Sequence, residues 1–80
     1  FIVDGTMLIR ELNELYDLDI PMYPDSLTIN GLMLKMFNGI PSIGVCFKIN
    51  NLIFELISMG DYWVERVVIS HFNNNKNIMT

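Results

Sequence analysis

Between Gly39 and Arg66 the chain is punctuated as a meander. Gly39-Ile40-Pro41 and Gly44 are followed by the strand-like runs Val45 to Ile49, Leu52 to Met59 and Tyr62 to Ile69. Asn50-Asn51 and Gly60-Asp61 separate these runs, and polar breaks this short join antiparallel strands. A turn at Asn50-Asn51 pairs Val45 with Leu56, Phe47 with Phe54 and Ile49 with Leu52, which places six apolar side chains on one face. That face must be core. Cys46, Lys48 and Glu55 share the other face with Ile53 and Ile57, so the outer face is only partly polar and part of it is expected to be covered. The second turn leaves two registers. A two-residue turn sets Glu55 opposite Arg66, and a three-residue turn including Tyr62 sets Leu56 opposite Arg66; the first pairs opposite charges and is preferred.

Upstream of the meander the periodicity changes from that of strands to that of helices. Phe1-Ile2-Val3 reads as a short strand, and Asp4-Gly5-Thr6 as a turn whose Asp4 or Thr6 oxygen caps a helix over Met7 to Tyr16. Leu8, Leu12, Leu15 and Tyr16 form its apolar stripe. Asp17 to Asp25, with Pro21 and Pro24, reads as a loop, after which Ser26 or Thr28 caps a second helix over Ile29 to Phe37. Ile29, Leu32, Met33, Met36 and Phe37 share a stripe that Leu34 widens, so this helix is expected to be the more buried. Gly39 in the left-handed conformation, Ile40 folded back and Pro41 beyond it are expected to stop it. The expected fold is α+β: two helices packed on a small sheet with a C-terminal three-strand antiparallel meander. Residues 1–70 form the domain, and 71–80 a polar, Asn-rich tail.

Eighty residues that are 51% hydrophobic and 18% charged suit one globular domain with a thin core. No apolar run is long enough to span a bilayer, and no signal peptide opens the chain. The start at Phe1, without an initiator Met, reads as a domain cut from something longer. The net charge of −4 is concentrated in Phe1 to Asp25, where six carboxylates face Arg10 alone. Such a half repels phosphate, which argues against nucleic acid and anionic membrane as partners and leaves an attraction for cations.

Catalytic constellations are hard to assemble from these residues. Cys46 and His71 lack a third group, whether as zinc ligands or as a nucleophile pair; they read as a packed strand residue and a bystander. A lone cysteine suits a reducing compartment. No glycine-rich phosphate loop occurs. Asp17, Asp19 and Asp25 are the candidate metal ligands, since a hard divalent cation takes oxygen donors, although a solvated acidic loop explains them as well. The methionines read as packing. Tyr62 and Trp63 either anchor a partner, with Arg66 beside them, or place Trp63 as a cap on one end of the core.

Several strings, in order and over about residues 1–70, carry a likeness. They are the opening FIVDGTMLIRELNELYDLDIP, Thr28-Ile29-Asn30-Gly31-Leu32, Gly39-Ile40-Pro41 with Gly44, Phe54-Glu55-Leu56, and Val64-Glu65-Arg66-Val67. Together they resemble the transporter-associated domain of the CorC/HlyC family, the C-terminal module of hemolysin-like proteins linked to magnesium and cobalt efflux. Met22-Tyr23-Pro24 and Trp63 depart from the family pattern, which has an acidic stretch and more often a basic residue there. The resemblance implies a fold similar to part of the FAD-binding oxidoreductase domains, no catalytic residues, and a regulatory role beside a CBS-domain pair of the same chain or a sister subunit. The parent would lie at the cytoplasmic side of an inner or plasma membrane, which this domain would meet only through that parent. No cofactor is expected, and a divalent cation is left open. An exposed edge, Phe1 to Val3 or Tyr62 to Ile69, leaves a homodimer open. The alternative function is a stand-alone sensor of an adenine nucleotide, a flavin or a divalent metal.

Overall fold

The computed structural model describes residues 1–72. Four strands, β1 (Ile2–Asp4), β2 (Cys46–Ile49), β3 (Leu52–Met59) and β4 (Val64–His71), form one antiparallel sheet in the order β1-β4-β3-β2. Helices α1 (Ile9–Tyr16) and α2 (Ile29–Phe37) lie between β1 and β2 in sequence. The expected α+β meander is present, and β1 extends it by pairing with β4. The edges are therefore β1 and β2. Tyr62 to Ile69 is not an edge, because β4 is paired on both sides.

Alternation along the strands divides the sheet into two unlike faces. Val3, Leu52, Phe54, Leu56, Val67 and Ile69 join Ile9, Leu12, Ile29, Leu32 and Met33 in one buried cluster. The first hairpin has the expected register: Phe47 opposes Phe54, Ile49 opposes Leu52, and Val45 accepts a hydrogen bond from the Leu56 N–H at 3.0 Å. Asn50 turns the chain in the left-handed conformation.

Both registers considered for the second hairpin are corrected. Leu56 opposes Val67, Glu55 opposes Val68 and Arg66 opposes Ser58, with irregular pairing between Leu56 and Met59. The two-residue turn would have aligned buried Leu56 with Glu65, and the three-residue turn with Arg66. The longer turn and its bulge instead let Val64 follow Val67 and Ile69 inward, so the burial of apolar groups outweighs an exposed ion pair.

Helix boundaries show similar corrections. No side chain caps α1; the Ile9 N–H donates to the Leu27 carbonyl at 2.9 Å, so backbone from the next helix entry replaces Asp4 or Thr6. Its inward stripe runs through Ile9 and Leu12, and Leu15 is 68% exposed while Tyr16 stacks on Phe1. Thr28 does cap α2, accepting from the Gly31 N–H at 3.1 Å. At the other end Asn38, not Gly39, takes the left-handed position, and the Gly39 N–H donates to Leu34 at 3.0 Å. Ile40 points outward, and Met36 is also exposed. His71 belongs to the sheet rather than to a tail, ending β4 opposite Leu52, and just beyond it the Phe72 N–H donates to the Asn51 carbonyl. The rest of the expected tail, 73–80, lies outside the described residues.

Candidate functional site

Two places far apart on the sheet bear chemistry. At the Asn50-Asn51 end, Asp17, Leu18, Asp19, Asn50, Asn51, Leu52 and His71 line a shallow cleft of about 270 Å³. Its acidic wall is held by amides. The Asn13 side chain bonds both the N–H and the carbonyl of Ile20, at 2.9 and 3.0 Å, and Asn50 Nδ2 donates to the Asp19 carbonyl at 3.2 Å. Asp17 closes α1 in the left-handed conformation, which swings the loop toward the sheet. Asp17, Asp19 and His71 thus line one opening, without converging on a single metal position.

The three aspartates are not gathered around one point. Asp25 lies elsewhere, with Lys35 Nζ at 3.5 Å, and the same ammonium sits 5.0 Å from the Tyr23 ring centre. Among the described residues no group of three or more His, Cys, Asp or Glu converges on a metal position. Pro21 and Pro24 separate Asp25 from Asp17 and Asp19 along the loop. Cys46 and His71 are apart too. Cys46 is exposed opposite Glu55 on the outer face rather than packed, whereas His71 lines the cleft on the helix side.

At the opposite end, the turn from Gly60 to Trp63 closes through Gly60 N–H to the Trp63 carbonyl at 2.9 Å. Trp63 lies over Gly60 and is 46% exposed, so Val64, not Trp63, caps this end of the core. Tyr62 is 78% exposed, and Arg66 stands on the outer face opposite Asp4 with Glu65 at 3.8 Å. Between the two ends, the outer face carries Ile2, Val68, Ile53 and Ile57, and neither helix covers it. Sequence patterning located this face and the aromatic turn. It missed Asn13, Asn50 and Asn30, whose Oδ1 accepts the Val64 N–H at 2.7 Å. Each is flanked by one apolar residue and by a polar residue or glycine, so nothing in the sequence set these amides apart.

The family model described as transporter associated domain, CorC_HlyC, matches residues 1–73. The chain belongs to that family. This transporter associated domain is 28% identical over 68 residues, 85% of the chain, to the UPF0053 inner membrane protein YfjD of Escherichia coli K12. It spans only 16% of the length of the curated relatives it matches. The transporter associated domain CorC_HlyC from Nitrosomonas europaea superimposes with a TM-score of 0.77 at 27% identity, covering 88% of this chain and 84% of that one. The same domain from a Xylella fastidiosa Temecula1 hemolysin, solved in complex with Mg++ and Mn++, gives 0.81 at 23% identity, covering 91% and 87%. Within the described residues of this transporter associated domain, no helix is long and apolar enough to cross a membrane.

Proposed function

We propose that this domain is a non-catalytic regulatory and interaction module of a larger hemolysin-like protein and modulates divalent cation efflux, with magnesium and cobalt as the cargo. The observation that carries this reading is the unequal sheet: one face is sealed by two helices, and the other is left open beside Tyr62, Trp63 and Arg66. A CBS-domain pair of the same chain or a sister subunit is the partner, on the cytoplasmic side of the inner or plasma membrane. Regulation then means that the partner makes different contacts with this face in two transport states. The kinship with an inner membrane protein supports a membrane-bound parent. Replacing Tyr62 and Trp63 by Ala in the parent polypeptide is expected to change cation efflux about five-fold or more at equal protein level. Unchanged efflux overturns the reading.

A second reading, a cation or small-molecule sensor, rests on the cleft, where Asp17 and Asp19 share an opening with His71. The Mg++ and Mn++ complex of the Xylella fastidiosa domain adds support. Millimolar Mg²⁺ is then expected to shift a compact set of amide resonances at Asp17 to Asp19, Asn50 to Leu52 and His71. Small, uniform shifts throughout the chain remove it.

A further inference from the structure

We infer that Asn30 is the positioning residue of the turn that carries Tyr62 and Trp63, whose backbone it orients and couples to the turn between β1 and α1. This deepens the regulatory reading above and rests on it. The decisive unit is the peptide that joins Trp63 to Val64. Its carbonyl oxygen accepts the Gly60 N–H at 2.9 Å, and its N–H donates to Asn30 Oδ1 at 2.7 Å. A peptide unit is planar, so its N–H and its carbonyl turn together. The group that holds the N–H therefore aims the carbonyl that closes the aromatic turn.

Asn30 is itself fixed from the other side. It stands in the first turn of α2, two residues after the Thr28 cap, where a backbone N–H has no partner within the helix. That N–H donates to the Gly5 carbonyl at 2.8 Å, and the Gly5 N–H donates to the Glu65 carbonyl at 2.8 Å. The three bonds close a ring through α2, the β1–α1 turn and the start of β4. The ring has little slack, because buried Gly5 lies against the Val64 carbonyl with no room for a Cβ. A displacement of the β1–α1 turn thus reaches Tyr62 and Trp63 through Gly5, Asn30 and one rigid peptide. The exposure of both aromatics fits this division, since their backbone is held while their side chains stay free for a partner. Asparagine is a poor helix former, and its side-chain acceptor accounts for its place here. The Val64 N–H requires an oxygen opposite it. A carboxylate supplies one as well, and its negative charge is stabilised in the first turn of a helix.

The test compares Asn30→Ala with Asn30→Asp in the 80-residue chain by backbone amide relaxation, which reports on the folded state and not on the fraction unfolded. In Asn30→Ala the order parameters of Gly60, Tyr62 and Trp63 are expected to fall from about 0.85 to below about 0.6, with Gly5 following, while Leu12 and Leu56 keep theirs. Asn30→Asp should keep the unsubstituted values throughout. An equal fall across the chain, a turn that stays rigid without the Asn30 oxygen, or a turn that loosens as much in Asn30→Asp would each overturn the inference. Should Asn30→Ala fail to fold, Asn30→Gln, which carries the same amide one methylene out of place, is judged by the same criteria. In the parent polypeptide Asn30→Ala is expected to change cation efflux in the same direction as loss of Tyr62 and Trp63, and Asn30→Asp to leave it as it was. Efflux that responds to Tyr62 and Trp63 but ignores Asn30→Ala overturns the positioning role alone. A turn that loosens as expected, with efflux insensitive to Tyr62 and Trp63, removes the regulatory reading and leaves the ring standing.

Discussion

Phe54→Ala is expected to lose about 3–5 kcal/mol of stability, a large share of what a chain of this size has. Phe54 is fully buried on β3, a central strand, and its ring stacks on Phe47 at 4.9 Å with the planes 6° apart. Phe47 in turn meets the edge of Phe37 at 5.6 Å, so the three rings tie α2 to the β2 edge. Truncating a buried Phe to Ala costs about 3–5 kcal/mol, partly as lost transfer energy and partly as the cavity left behind. A chain of this size has about 4–12 kcal/mol in total. The loss therefore takes a large share of the stability, and Phe47 on the β2 edge loses the ring it stacks on. Urea unfolding followed by circular dichroism measures it, with Phe54→Leu as the control that keeps most of the volume at a cost below about 1.5 kcal/mol. If the two variants unfold at the same urea concentration, the stacked rings do not hold this part of the core.

The hairpin that carries this stack was legible because its pattern is local. Asn50-Asn51 fixes the turn, and the alternation of Phe47, Ile49, Leu52 and Phe54 leaves one way to bury all four. Thr28 as a cap was legible for the same reason. The second hairpin was not, because its register depends on a bulge that only the whole core selects: Val64 gains burial against elements distant in sequence, and a local charge rule cannot weigh that. The cleft was half legible. Asp17 and Asp19 were visible as an acidic loop, but His71 reaches them only because β4 runs the full length of the sheet to the Asn50-Asn51 end. Asp25 was grouped with them by proximity in sequence, and in the fold it pairs with Lys35 instead. The division of the sheet into two unlike faces followed from the alternation of strands, but part of the outer face was expected to be covered, and only the packing of both helices on the other side leaves it open.

Two glycines with similar crowding separate what is rigid in this fold from what can yield. A Cβ on Gly5 would collide with the Val64 carbonyl oxygen and come within 3.4 Å of the Asn30 Cβ. Gly5 is also bonded on both sides, its N–H to the Glu65 carbonyl and its carbonyl to the Asn30 N–H, each at 2.8 Å. It is the point where the β1–α1 turn is wedged between β4 and α2, and the obstacle is backbone in a central strand. A Cβ on Gly60 would collide too, but with the ring of Trp63, a half-exposed side chain that can swing into solvent. Overpacking usually costs about 1–3 kcal/mol, and the upper end or beyond applies where neither neighbour can move. Gly5→Ala is therefore expected to lose about 3 kcal/mol or more, with broadened amide resonances at Val64, Glu65 and Asn30. Gly60→Ala should lose about 1 kcal/mol or less and announce itself instead as a red shift of Trp63 fluorescence as the indole becomes wetter. Equal losses in urea unfolding would mean that Trp63 is as firmly seated as the β4 backbone, and the exposed aromatic turn would then be a structural cap rather than a surface free to meet a partner.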